Sequence, residues 1–261
     1  MKRFLFFSSF CLLACIALSQ DKTLYEKHWY ISGNDTLPYR VLLPKNFDAS
    51  KKYPLILFLH GSGERGRDNE AQLIHGGDLF LRDSVREQYP AIVVFPQCPQ
   101  VSFWSNVDIR YDSAAKKRIW NFPTDGEPTV AMRLLLQLVT QLQKDYKLEK
   151  HRLYIGGLSM GGMGTFELVR RTPKTFAAAF PICGGAAPAT AKTLSKVKHW
   201  WILHGLADPV VPVELSKDMA DALVNAGAVI RLSLYPGVGH NSWDNAFAEK
   251  DLLPWLFSNH K

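Results

Sequence analysis

A chain of 261 residues is long enough to bury one sizeable core, and a single domain is the expectation at this length. Its composition, 47% hydrophobic and 21% charged with 18 glycines and 15 prolines, is that of an ordinary globular protein and excludes collagen-like repeats and low-complexity tracts. The formal net charge of +7 is spread along the chain, without the basic stripe or recognisable module that nucleic-acid binding requires.

The first twenty residues stand apart. Met1-Lys2-Arg3 is a short basic start, residues 4–18 are almost wholly apolar, and Ala17-Leu18-Ser19 offers small residues where a signal peptidase reads. The apolar stretch is short for a transmembrane span. The expectation is a cleaved export signal over residues 1–19, with one domain over residues 20–261 and a secreted or periplasmic location. A second reading takes Leu12-Leu13-Ala14-Cys15 as a lipobox with a lipid anchor at Cys15, although Leu13 fits that motif poorly. After cleavage two cysteines remain, Cys98 and Cys183, each following a different predicted strand. No Cys/His spacing suggests a zinc site, and no metal or cofactor is expected.

Strands are predicted at 26–31 and 37–43, joined by the turn-forming Ser32-Gly33-Asn34-Asp35. Short apolar runs then alternate with helical patterns, at 55–59, 91–95, 152–155, 177–182, 200–203 and 230–235. Such runs, apolar on both faces, are expected of a parallel sheet covered on each side by helices. Helices are predicted near 69–85, 160–171, 214–226 and 246–257. The clearest follows Pro128, where Val130, Leu134, Leu138 and Leu142 share one face. Between residues 96 and 127 no long apolar run occurs, yet Phe103, Trp104, Tyr111, Trp120 and Phe122 fall there. A connection of that length is either functional or a loop pinned down by its aromatics. The one basic run, Lys116-Lys117-Arg118, reads as a solvated face.

Chemistry concentrates at Gly157-Leu158-Ser159-Met160-Gly161-Gly162, between a predicted strand and a predicted helix. A serine in G-x-S-x-G at that junction sits on a tight turn that exposes its hydroxyl, with glycines where side chains would clash. The motif alone occurs by chance in roughly one chain of this length in ten, so its strand–turn–helix context is what gives it weight. A serine hydroxyl needs a base, and the base an orienting acid, met along the chain in the order Ser, Asp, His. Asp208, in His204-Gly205-Leu206-Ala207-Asp208, and His240, in Pro236-Gly237-Val238-Gly239-His240, each follow a predicted strand and satisfy that order. Asp221 and Asp244 are weaker acids, one lying in a helix and the other following the histidine. Two backbone N–H groups are needed for an oxyanion. Met160 is the expected source of one, and Ser62, in the loop His60-Gly61-Ser62-Gly63-Glu64-Arg65-Gly66, of the other. His60 is expected to brace that loop. Glu64 and Arg65 either pair or line the entrance, and Trp104, Trp120 and Trp243 either form an aromatic platform for substrate or pack the core.

These segments resemble the α/β-hydrolase superfamily. More narrowly they are similar to bacterial exported esterases related to feruloyl esterases, acetyl-xylan esterases and dienelactone-hydrolase-like proteins. The matching segments are 60–66, 157–162, 204–208 and 239–243, the last ending at Trp243. The resemblance implies a mostly parallel central sheet flanked by helices, no large lid domain, and hydrolysis of a small-molecule or polysaccharide-linked ester by Ser159, Asp208 and His240. On the reading of the residues themselves, Trp104, Trp243 and Arg65 are expected near the substrate. The rival expectations are a serine peptidase with the same three residues and a non-catalytic carbohydrate binder of the same fold.

Overall fold

The fold is described by a computed structural model covering residues 21–261; the export signal and the lipobox at Cys15 lie outside the described residues. Ten strands form: β1 (Tyr25–Ser32), β2 (Asp35–Leu42), β3 (Tyr53–Leu59), β4 (Ile92–Pro96), β5 (Asp108–Asp112), β6 (Lys117–Asn121), β7 (Leu148–Leu158), β8 (Ala178–Ile182), β9 (His199–Gly205) and β10 (Val229–Tyr235). Eight of them make one sheet in the order β1-β2-β4-β3-β7-β8-β9-β10. The β1–β2 and β2–β4 pairs are antiparallel, and every pair from β4–β3 to β9–β10 is parallel. β5 and β6 form a separate antiparallel hairpin within the stretch left without a predicted element.

Helices cover both faces. The longer ones, α3 (Val130–Asp145), α4 (Met160–Arg171) and α6 (Val213–Asn225), pack with the short α5 (Ala191–Leu194) on a core that includes Leu57, Leu135, Phe166, Trp200 and Met219. On the other face α1 (Gly77–Leu81), α2 (Asp83–Gln88), α7 (Trp243–Ala248) and α8 (Leu252–Ser258) cover a second core around Phe58, Phe95, Phe180 and Trp201. The all-apolar runs of the central strands follow from this two-sided burial: every residue of β3, β4 and β8 is buried. α3 begins at Val130, its first turn closed by Thr129, whose hydroxyl accepts the Met132 N–H at 3.1 Å.

Two predicted helices are broken, each for a local reason. Residues 69–85 yield a turn at Ala71–Leu73, then α1 and α2, because the chain turns at Gly76 with φ +87°. The 246–257 segment divides into α7 and α8 at Glu249, whose ψ of 114° is extended. Pro254 explains the division. In a continuous helix its ring would meet the carbonyl four residues back, whereas in the first turn of α8 it is tolerated.

Cys98 and Cys183 are both buried and free, and burial pushes both thiols up to about 12.

The parallel strands end level with one another: Leu59 pairs with Gly157, Leu158 with Ile182, Ile182 with Leu203, and Gly205 with Tyr235. α4 rises from the middle of this edge so close to β3 that a Cβ on Gly161 would overlap the Leu59 carbonyl. Backbone cannot yield there as a side chain would. Gly161→Ala is therefore expected to cost about 3 kcal/mol or more, lowering the melting temperature by roughly 6–12 °C. Gly63→Ala, with open space around it, is expected to stay within about 0.5 kcal/mol of the wild type. Thermal unfolding of the two variants checks the contrast.

Candidate active site

Ser159 follows the last residue of β7 and precedes α4, with φ +53° and ψ −115°. A non-glycine residue in this region is strained by about 1–3 kcal/mol. Its N–H is held by Ile182 O at 2.9 Å. The turn exposes the hydroxyl at the N-terminus of α4, where first-turn N–H groups have no partner within the helix.

His240 and Asp208 reach this serine from the ends of β10 and β9. His240 Nε2 lies 3.0 Å from Ser159 Oγ, and His240 Nδ1 lies 2.7 Å from Asp208 Oδ2. A carboxylate only accepts, so the proton sits on Nδ1 and Nε2 is free to accept from the serine hydroxyl. The two loops are tied together by Leu206 N–H to Tyr235 O and Ala207 N–H to Val238 O, each 2.9 Å. Asp221 and Asp244 lie elsewhere, on α6 and α7.

Asp208 is a fully buried side chain with four neighbouring donors. Its Oδ1 accepts from the Val210 and Val211 amides at 2.8 and 3.0 Å; its Oδ2 accepts from His240 and from His204 Nε2 at 3.1 Å. Burial alone would push the carboxyl up, but the bonds from His204, His240, Val211 and Val210 outweigh it and hold the group well below the usual carboxylate range. His204 had no predicted role beyond ending a strand. Its Nε2 also faces Val211 O at 3.0 Å, so that nitrogen must carry a proton, while Ser216 Oγ lies 2.7 Å from Nδ1. The spacing His204-x-x-x-Asp208 was the available signal.

Ser62 and Met160 line one cavity of about 260 Å³ together with Ser159. Both open a helical turn, so their N–H groups are unspent by the helix that follows. His60, beneath Ser62, is buried: its Nε2 accepts the Cys98 N–H at 2.9 Å, Nδ1 lies 2.6 Å from Gly61 O, and burial pulls its pKa down to about 4. It is a neutral brace for the loop, as expected. Phe103, Met163, Val210 and Val211 add apolar wall, and Ile109, Arg118 and Trp120 reach the cavity from the β5–β6 hairpin. The basic run therefore does not lie wholly on a solvated face.

Three expected substrate contacts change. Trp104 is completely buried, edge-on to His60 at 5.5 Å between centroids, and offers no face to a ligand. Arg65 does not pair with Glu64. It donates to Ser62 O (3.0 Å), Gln100 O (3.1 Å) and Ser102 O (3.3 Å), fastening the Ser62 loop to its neighbour. Glu64 turns inward, 3.7 Å from His75 Nε2. Trp243 packs edge-on against His240 at 5.4 Å and against His75 at 5.0 Å, outside the cavity lined by Ser159. Among the described residues one group, Cys183, Asp208 and His240, brings potential metal ligands within 4.8 Å of one another. Its carboxylate and imidazole are spent on each other, and the thiolate a soft metal needs is disfavoured by burial.

A mostly parallel sheet with a serine at a strained strand-to-helix turn, and an acid and a histidine on later strand ends, is the α/β-hydrolase architecture. Solved structures agree with it. A thermostable esterase superposes with a TM-score of 0.81 at 30% identity over 92% of this chain, which spans 64% of that one. A ferulic acid esterase from Anaeromyces mucronatus superposes with a TM-score of 0.63 at 15% identity, covering 88% of this chain and 89% of that one. A probable feruloyl esterase C from Aspergillus niger is 23% identical over 227 residues, 86% of this chain and 73% of that protein. The phospholipase/carboxylesterase family profile matches residues 47–250, more than half of the chain, and the chain belongs to that family of α/β-hydrolases. It is by that membership a carboxylic ester hydrolase.

Asp208 makes stability depend on pH with a definite sign. Its folded pKa is depressed, so its contribution is complete above the unfolded carboxylate value of about 3.9 and drains as pH falls below it. Asp208→Asn is expected to flatten urea-unfolding stability against pH below about pH 4. A slope equal to that of the wild type refutes the assignment. His204→Leu, which removes one of the four donors, is expected to cost about 1–3 kcal/mol in the same measurement at pH 7.

Proposed function

We propose that this protein is an exported serine esterase that cleaves carboxylic esters through an acyl-enzyme, with Ser159 as nucleophile, His240 as general base and acid, and Asp208 as the orienting acid. The observation that carries the reading is the unbroken relay from Ser159 Oγ to His240 to Asp208, 3.0 and 2.7 Å long. His240 Nε2 takes the hydroxyl proton as Ser159 Oγ attacks the ester carbonyl. Negative charge then develops on the carbonyl oxygen, beside the positive end of α4, where the Met160 and Ser62 N–H groups receive it. The intermediate collapses with transfer of the His240 proton to the departing alkoxide, releasing the alcohol and leaving the acyl group on Ser159. Water, deprotonated by His240, repeats the sequence and frees the acid. Asp208 keeps the imidazole oriented and balances its charge while it is cationic.

Two further features support a narrower reading, an ester of a feruloyl or acetyl group on plant polysaccharide. The cavity beside Ser159 has apolar and aromatic walls, Phe103, Ile109, Met163 and Trp120, suited to an aromatic acyl group. Relatives bear the name feruloyl esterase. The leader over residues 1–19 supports export.

Purified protein is expected to hydrolyse short p-nitrophenyl esters and methyl ferulate while leaving peptide p-nitroanilides intact. Ser159→Ala is expected to lower kcat by at least about 10⁴-fold with unchanged circular dichroism. Turnover that survives this substitution overturns the mechanism. N-terminal sequencing of protein recovered outside the cytoplasm is expected to begin near Gln20, and an intact Met1 there refutes the cleavage.

A further inference from the structure

Among the described residues lining this cavity, Arg118 and Trp120 of the β5–β6 hairpin carry N–H groups that the proposed reaction leaves unused. Successive strand residues alternate faces, so Arg118 and Trp120, two apart on β6, share one face. Both line the cavity with Ser159, as does Ile109, the cross-strand partner of Trp120. Both are donors only. Trp120 Nε1 is buried with no hydrogen-bond partner. Arg118 spends one N–H on the neutral Val210 carbonyl at 3.2 Å and keeps its charge at the cavity edge. Among the described residues no carboxylate lines this space, whose other walls are apolar apart from Ser62 and Ser159. A cavity edged by a guanidinium, with no acid among its described lining residues to answer it, is complementary to a ligand bearing an anionic oxygen group. A carboxylate fits best, since it takes two N–H bonds from a guanidinium side by side.

We infer that the cavity selects esters whose acyl group ends in an anionic oxygen substituent, a carboxylate held by Arg118 with the Trp120 ring beside it. The inference rests on the proposed reading of Ser159 as nucleophile, which places the ester carbonyl in the cavity that the hairpin also lines. To the feruloyl and acetyl reading, whose acyl groups are uncharged, it adds a preference for an aromatic acyl group with a distal carboxylate. It also gives Arg118 a purpose that its sequence context, a run of three basic residues, does not announce.

Binding tests this without relying on turnover. In a Ser159→Ala background, the dissociation constants of two rigid esters are measured by titration calorimetry: the methyl ester of 4-carboxycinnamate, anionic at its far end, and methyl 4-methylcinnamate, its neutral counterpart. The anionic ester is expected to bind about tenfold more tightly, the worth of one charge-assisted hydrogen bond. Adding Arg118→Gln is expected to erase that ratio, and Arg118→Lys to keep part of it. Raising salt from 0.05 to 0.5 M is expected to weaken the anionic ester alone, because the cation is exposed and screened. Equal affinities for the two esters, or an Arg118→Gln effect that weakens both alike, overturn the inference. Turnover of the neutral ester by the wild-type protein is read separately. Its absence counts against the esterase mechanism and leaves the binding ratio to stand or fall by itself.

Discussion

Backbone packed directly on backbone at the foot of α4 is the constraint from which the rest of the site is built. Gly157 and Gly161 bring the turn around Ser159 against itself and against the Leu59 carbonyl, and a Cβ at either would meet main-chain atoms. Main chain cannot rotate out of the way, so the separation of β3, β7 and α4 is set within narrow limits. Ser159 is strained, at φ +53°, because this crowded turn leaves it no alternative. The strain has a use: it points the hydroxyl away from the sheet and keeps it in front of the unspent N–H groups of the first helical turn. The same contact fixes how far Ser62, on the loop leaving β3, sits from Met160.

A second constraint is electrostatic. Asp208 is an ionised carboxylate with no solvent exposure, a state that ordinarily costs several kcal/mol. Four donors offset the cost, two backbone amides on one oxygen and two imidazoles on the other. Because Oδ1 is occupied by the amides of Val210 and Val211, Oδ2 has one direction left for His240 and one for His204. The imidazole that faces Ser159 is thereby oriented by an acid that is itself unable to turn. Val210 joins the two halves of the site: its N–H holds Asp208 while its carbonyl receives Arg118 from the hairpin. A group that presses on the hairpin presses on the loop that carries the acid.

Much of this arrangement is legible in the sequence, and where it is not the reason is physical. The central strands announce themselves because burial on both faces demands unbroken apolar runs, and β3, β4 and β8 comply at every position. Ser159, Asp208 and His240 follow from motif order and from their positions just past such runs. The hairpin escapes notice because it lies outside both cores. β5 is mostly exposed and has little apolar alternation to betray it, so only its aromatics mark it. Trp104 and Trp120, sixteen residues apart in the same loop, have opposite fates that composition cannot separate. One is sealed against His60 in the core, and the other reaches the cavity from a strand. The helix divisions at Gly76 and Glu249 depend on single residues, a left-handed glycine and a proline three positions into α8, that weigh little against the periodicity around them.

The division between what reads easily and what does not coincides with a division of labour. Reactive groups sit at the ends of strands that cannot shift without opening a core, which is why their positions follow from pattern. The hairpin residues that line the cavity sit on a two-stranded excursion whose described hydrogen bond to the body is Arg118 to Val210. A two-stranded ribbon contributes little stability of its own. Its inward-facing side chains can therefore change chemical character without disturbing the sheet, and alternate residues along β6 give it a place to do so two positions at a time. On the proposed reading, reaction type and substrate choice are carried by different physical forces. Close packing of main chain holds the first, and on the same proposal the Arg118 guanidinium on a surface ribbon holds the second.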